Sequence, residues 1–449
     1  MTATLPRRVR FGYATGSVAT GAFGTVPGLM LLPFLTDSLG IGALYAGLIV
    51  LLPKAWDVLL NPVAGRISDR TVDPRGARRP WLLRGGLSLA VAFALLFAGP
   101  DMGQALDALW VVFWFLVCAT GFAFFQVPYV SMPAEITDDY DERTRLMSWR
   151  VAILALTILV AGASAPAIRD AVGGRDGYRV MGVVIGLLIA IGIIGAYVGT
   201  RHARVTEVVA GSGTLRDQLR IVARARDFRL LLTTFVIQAL ATGAMLAGVD
   251  YLAGDVLGQQ GTATIVFVCF VGPALLLTPV WARIGVRIGK KRGYVLATVV
   301  FATGAALTVI AGNAPQWAVF AAVGVIGVGY AGAQVFPMAM LPDAAAEDAR
   351  RTGENRIGVF TGVWTAGETL GLALGPGLFA LMLEIGGYRS STTGGTDQPD
   401  SAITAIILGF SLVPAAIIAV SLWWLTRYSL TANDLDLDPV LPTDEELLS

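Results

Sequence analysis

Histidine occurs once in the 449 residues, at His202, and cysteine only twice, at Cys118 and Cys269. A lone histidine in a basic loop argues against imidazole catalysis and against a His-rich metal site. Both cysteines fall inside apolar segments, where they read as small core residues with neither a disulfide framework nor metal-ligand spacing. Charge is scarce as well: 14% of the residues are charged, where a soluble chain carries about 25%. The net charge is +1, so the overall balance points to no nucleic-acid partner. A Gly-rich phosphate loop with its lysine is missing, so no ATP-binding motif is present in the sequence. No cluster of nucleophile and base stands out, which speaks against an enzyme.

What the chain has in abundance is apolar length. Twelve segments are long enough to span a hydrocarbon core, which needs roughly 20 residues of helix. They lie near 11–36, 41–65, 81–100, 107–134, 147–168, 178–199, 229–252, 261–282, 293–312, 315–341, 357–385 and 402–426. Only helices or closed barrels satisfy their backbone in lipid, and continuous runs of this length mean helices. The N-terminus runs from a basic stretch straight into the first segment without a small-residue cleavage site, as expected of a retained helix rather than a signal peptide.

The basic residues alternate between loops. Of 33 Lys and Arg, only Arg169, Arg175, Arg179 and Arg389 fall on one side, and Lys54 and Arg150 lie within spans. Basic loops stay cytoplasmic, so both termini are expected there, in an inner membrane. Four regions follow: a six-helix bundle over 1–200, a linker over 201–228, a second bundle over 229–426, and an acidic tail over 427–449. Within the linker, Leu215, Leu219 and Val222 share one face with arginines around the rest. That pattern suits an interfacial helix on the inner leaflet; a solvated linker helix is the alternative. The tail is acidic and expected to be mobile.

The two bundles resemble each other. Span 4 ends in QVPYVSMPAEITDDYDERTR from Gln126, and span 10 in QVFPMAMLPDAAAEDARRTGE from Gln334. The loops after spans 2 and 8, GRISDRTVDPRGARR and ARIGVRIGKKRG, occupy equivalent places. Paired six-span repeats are the signature of alternating-access transporters. Here the chain resembles the major facilitator superfamily. Its loop Gly65-Arg66-Ile67-Ser68-Asp69-Arg70 with Arg75, Arg78 and Arg79 is similar to that superfamily's first cytoplasmic motif. The resemblance implies gating roles for Asp69, Arg70, Arg78 and Arg79, through an Asp–Arg pairing that holds the inward face shut. The plain alternative is a solvated loop that sets topology.

Charges inside a span cost roughly 2.5–3.5 kcal/mol each on insertion scales, so each is a functional hypothesis. Span 2 carries Lys54, Asp57 and Asn61, which share one helix face by spacing. Such a face can form a buried structural ion pair, or offer oxygens to Na⁺ or H⁺. The segment Trp56-Asp57-Val58-Leu59-Leu60-Asn61-Pro62 is similar to the Trp-Asp-x-x-x-Asp-Pro signature of the glycoside–pentoside–hexuronide:cation symporters, the melibiose-permease family. Lys54, Thr36-Asp37, Arg150 and Gly371-Leu372-Ala373-Leu374-Gly375 extend the agreement, and animal lysolipid symporters share the framework.

The resemblance implies an all-α membrane protein of twelve helices in two pseudo-symmetric bundles. Its implied activity is cation-coupled symport of a sugar-like or lysolipid-like solute. Departures sharpen it. Asn61 stands where the family has a second acid, so Na⁺ coupling loses a ligand charge and proton coupling gains. Gln126 stands where span 4 of the sugar carriers has an acid, and span 1 has no acid before Asp37, which disfavours a disaccharide site of the melibiose type. Glu368 and Thr369 stand where the family often has a lysine, and Glu368 is a candidate protonation site with Lys54 or Arg150 as its partner. The candidate set is thus Asp57, Asn61 and Glu368 for cation coupling, and Lys54, Gln126, Arg150, Tyr129 and Trp364 for solute. Phe122, Phe124 and Phe125 are further aromatic candidates, although aromatics at helical spacing more often pack. Asp250 reads as a rim charge near the outer end of span 7. No resident cofactor, metal or nucleic acid is expected, and the protein is expected to be a monomer. An exporter of drugs or lipids in the same fold is the competing function.

Overall fold

The computed structural model describes residues 5–71, 73, 76, 78–137, 140–201, 203, 223–259, 261–352, 357–392 and 397–430. The predicted linker helix and the acidic tail lie outside the described residues. Helix is the dominant element: α1 (Arg7–Asp37), α2 (Ala43–Asp69), α3 (Arg79–Phe97), α4 (Gln104–Ser131), α5 (Tyr140–Val172) and α6 (Gly174–Thr200) form one half. The other half is α7 (Arg226–Tyr251), α8 (Thr262–Ile288), α9 (Lys290–Leu307), α10 (Gln316–Thr352), α11 (Ile357–Gly386) and a last helix α12 in two pieces, Asp400–Phe410 and Leu412–Leu425. Among the described residues, eleven of these helical segments are long and apolar enough to cross a membrane. The 27-residue α2 packs among them against α4 and α11.

Successive helices run in opposite directions. The starts of α1, α3, α5, α7, α9 and α11 therefore share one end with the arginine-rich loops, here the basic end. The other end, the far end, holds the α1–α2, α5–α6 and α11–α12 turns. Within each half the contacts follow the repeat: α1 lies against α5 and α6 and α3 against α4, while α7 lies against α11 and α9 against α10.

Two helices differ from their predicted spans for identifiable reasons. The last span was expected to be continuous over 402–426, but it breaks at Ser411 (φ −111°, ψ −88°). Pro414 has no N–H to give to the carbonyl of Phe410, four residues back, and its ring clashes with that carbonyl. α7 does not stop at residue 252. It continues as a π-helical turn over Leu252–Val256 and carries Asp255 with it.

The halves meet chiefly through α2 with α11, α5 with α8 and α1 with α7. At Gly47 a Cβ would lie 2.6 Å from the Cβ of Ala380 and 3.5 Å from the Cα of Gly377, so only a glycine lets α2 come this close to α11. Hydrogen bonds tie the same end together. The hydroxyls of Thr36 and Tyr251 are 2.7 Å apart, and the Ser391 N–H donates to the Thr36 carbonyl at 2.9 Å. Toward the basic end, among the described residues, α4 and α10 make next to no contact. The halves thus close on each other at the far end and part toward the basic end.

Candidate functional site

Lys54, Asp57 and Asn61 do share a face of α2. Asp57 is buried, 6% exposed. The Asn61 amide donates to its carboxylate, and Lys54 is the nearest opposing charge. The Lys54 ammonium does not close a tight ion pair. It sits over the Phe23 ring of α1, 5.4 Å from the centroid. Asp57 Oδ1 is buried without a hydrogen-bond partner. A buried polar oxygen left unsatisfied costs about 1–3 kcal/mol, and more when charged. The arrangement is an incomplete one that a small cation or a proton would complete.

Glu368 sits at the same depth in the other half. From the Gly47–Gly377 contact, ten residues along α2 reach Asp57 and nine residues back along antiparallel α11 reach Glu368. Both descend about 15 Å at 1.5 Å per residue. The charge neighbour of Glu368 is Tyr330 on α10, whose hydroxyl is hydrogen-bonded to Gln334. The expected pairing with Lys54 or Arg150 is not formed; among the described residues Glu368 has no hydrogen-bond or ion-pair partner. The reason is geometric, since Lys54 turns toward α1 and Arg150 toward α4.

Arg150 lies within its helix, as its place inside a span suggested. α5 begins at Tyr140, so Arg150 lies ten residues inside it, about 15 Å along the axis. Its guanidinium stacks 5.5 Å from the Tyr129 ring and is hydrogen-bonded to that hydroxyl. Arg150 Nε is buried without a partner. Gln126 accepts a hydrogen bond from Thr20 of α1 at 2.7 Å.

One turn on from Thr20, Gly24 is exposed, and a Cβ there would meet nothing within 4 Å. α1 touches helices of both halves, and Gly24 gives it an open spot that the sequence did not suggest. A lone glycine between apolar neighbours gives no such signal.

Two aromatic candidates are not open to solute. Tyr129 is fully buried. Its hydroxyl donates to the Tyr13 carbonyl at 2.8 Å and lies 3.0 Å from Ser17 Oγ, and its ring stacks on Tyr13 at 4.8 Å. Trp364 is 1% exposed and stacks on Phe235 at 4.4 Å, locking α11 to α7. Both serve helix packing in this conformation. Phe125 is likewise buried, and Phe124 stacks on Trp81 at 5.0 Å. Phe122 is half-buried against Phe23, the ring beneath Lys54.

The gating candidates divide. The Asp69 side chain lies outside the described residues. Arg70 is exposed at the end of α2, where its N–H donates to the Arg66 carbonyl at 3.3 Å. Arg78 and Arg79 are buried rather than solvated. Arg78 donates to the Ser131 carbonyl at 2.6 Å and Arg79 to the Ala203 carbonyl at 2.8 Å. These two residues thus clip the ends of α4 and α6 to the α2–α3 loop.

The far end holds charge chemistry that the sequence only hinted at. Arg169 of α5 pairs with Asp250 of α7 at 2.6 Å across the halves, and with Asp170 beside it. Asp170 in turn accepts from the Gly261 N–H at 3.2 Å. The Tyr388 hydroxyl lies 2.8 Å from Asp37 Oδ1 and 3.3 Å from Asp255 Oδ2, again joining the halves. Arg169 was one of four basic residues at this end, and that rarity was the available clue. Asp250 is the rim charge expected of it, with the added task of a cross-half bond.

With this geometry, likeness to known proteins can be placed. The family described as MFS/sugar transport protein matches residues 12–432. The inner membrane symporter YicJ of Escherichia coli is 27% identical, over 95% of this chain and 92% of its own. The sodium-dependent lysophosphatidylcholine symporter 1 of Gallus gallus is 23% identical, over 91% of this chain and 84% of its own. Among solved structures, the nucleoside transporter NupG superposes with a TM-score of 0.66 at 12% identity, over 94% of this chain and 99% of that one. That last likeness concerns the fold alone.

Proposed function

The chain belongs to the MFS/sugar transport family, and from that premise we propose that it is a secondary symporter. It takes up an organic solute, sugar-like or lysolipid-like, together with a cation. The relatives named as symporters support this class, one of them for lysophosphatidylcholine with sodium. The basic loops support cytoplasmic termini. On that orientation the halves are shut toward the outside and parted toward the cytoplasm.

One observation carries the coupling: Asp57 Oδ1, buried and unpartnered, between Asn61 and Lys54. Binding a cation or proton there satisfies the oxygen and removes an uncompensated interior charge. Lys54 is thereby less tightly held by Asp57, which lets the α1–α2 face rearrange. With one acid and one amide on α2, the site favours a proton over Na⁺. Glu368 supplies the second carboxyl from the opposite half, at matching depth. The solute sits between them, bounded by Gln126, Arg150 and the open face of α1 at Gly24. A ligand that binds one state better shifts the population toward it, and that differential is all the coupling the design requires.

The test uses purified protein in liposomes, with a panel of glycosides and lysolipids selected by thermal shift, each with and without Na⁺ and at two pH values. Asp57→Asn should abolish gradient-driven accumulation while solute counterflow persists. Glu368→Gln should remove the drive by a pH gradient. Accumulation at wild-type levels in both variants would overturn the assignment. Net outward movement of solute under the same gradients would favour an exporter.

A further inference from the structure

We propose that closing the far end takes up one proton, shared by Asp37 and Asp255 across the Tyr388 hydroxyl, so that acidity on that side favours the closed arrangement. The inference rests on the alternating-access reading, but it concerns a different place from the coupling carboxyls.

The argument is a count of hydrogens. Tyr388 has one hydroxyl hydrogen and sits between two carboxyls, at 2.8 Å from Asp37 and 3.3 Å from Asp255. That hydrogen can serve one of them. For both contacts to be hydrogen bonds, the other carboxyl must be protonated and donate to the phenol oxygen. Tyr388 itself keeps its hydrogen, because burial, and then the neighbouring Asp37, hold its pKa far above the ordinary range.

Among the described residues, no cation is paired with Asp37 or Asp255. Arg169 of α5 is held by Asp250 and Asp170, and Arg175 of α6 by Asp101 and Asp107. Asp250 adds a further acid, and Tyr251 of α7 and Tyr178 of α6 complete the surroundings with hydroxyls. Glu384 of α11 faces the Leu44 N–H. Arg389, next to Tyr388, is exposed, and its backbone N–H and carbonyl both pair with Gln398.

The pair exists only when the halves close. Asp37 ends α1, in the first half, while Asp255 rides on the π-turn that extends α7, and Tyr388 follows α11. π-turns of this kind tend to occur where a helix must place a functional group. With the halves apart, each carboxyl faces water and ionises independently. Bringing them onto one hydroxyl sets two like charges side by side, which favours protonation of one. Reopening returns the proton to the side it came from, so it is not carried across. The latch senses pH without consuming the gradient.

The experiment reads the gate directly. Spin labels are placed at the exposed far-end positions Met102 and Trp317, one in each half, in full-length protein carrying Cys118→Ala and Cys269→Ala, in lipid nanodiscs. Distances are measured across about pH 5 to 8.5, where carboxyls in such a pair titrate. A single linked proton limits the change in the closed-to-open ratio to about tenfold per pH unit.

The wild-type ratio should fall as pH rises, by up to that slope. Asp255→Asn and Asp37→Asn should each flatten the dependence, since an amide N–H donates to the phenol oxygen without a proton being taken up. Tyr388→Phe should shift the ratio toward open across the range. The dependence should survive in Asp57→Asn with Glu368→Gln, which separates it from coupling. A wild-type ratio insensitive to pH, or an unchanged slope in both Asp→Asn variants, would overturn the proposal. If one Asp→Asn variant does not fold, the other decides. Symport retained in the Asp57→Asn with Glu368→Gln protein, with the pH-dependent distance intact, would instead count against the coupling assignment alone.

Discussion

The Arg169–Asp250 bond makes a prediction whose size can be worked out. Asp250→Asn keeps the shape and removes the charge. The pair is short, 2.6 Å, with side chains 15% and 12% exposed. Removing one member of a fully buried pair costs about 3–5 kcal/mol, while a surface pair is worth at most about 1 kcal/mol. Partial exposure, and the retained Asp170 beside Arg169, place this one at about 1–3 kcal/mol. Because the two residues belong to opposite halves, the loss falls on the far-closed state and not on either half alone. It therefore appears as a shift of about 5- to 150-fold in the closed-to-open ratio, with little change in the stability of each half. Double electron–electron resonance between labels on the far ends of α4 and α10 measures the ratio. Thermal unfolding of the same samples measures stability. An unchanged distance distribution would refute the reasoning. A large fall in Tm without any change of distance would show that the pair holds structure rather than state.

Two further perturbations test other parts of the molecule. Trp364→Ala should destabilise the second half by about 3–5 kcal/mol, the range for a large buried aromatic, visible as a lower Tm; a merely weaker solute affinity at constant Tm would mean that the ring does meet solute. Gly24→Trp should block solute binding with normal expression and Tm, because the indole enters open space; normal uptake by this variant would place Gly24 outside the path.

Much of the architecture follows from chain patterning alone. Apolar runs of one length, set apart by arginines in alternate loops, dictate helices and their approximate number, since lipid leaves no other backbone solution. The Lys54–Asp57–Asn61 face was legible because spacing on one helix is a local property. Contacts between helices were not. Nothing local says that Lys54 turns to Phe23, that Glu368 stands beside Tyr330, or that Tyr129 is sealed by Tyr13 and Ser17. The break at Ser411 was readable in principle from Pro414. The π-turn after Tyr251 was not, since no residue type demands it. For Arg78 and Arg79, read as gating residues with a solvated loop as the alternative, nothing local showed that both would be buried against the carbonyls of Ser131 and Ala203.

The break in α12 has a mechanical consequence. Its far-end rod, Asp400–Phe410, leans on α11, on α7 and on the π-turn, and its basic-end rod, Leu412–Leu425, on α7 and α9. A joint at Ser411 separates them. When the far end swings, the short rod can follow α11 as a flap while the longer rod stays seated, so the last helix transmits little torque along its length.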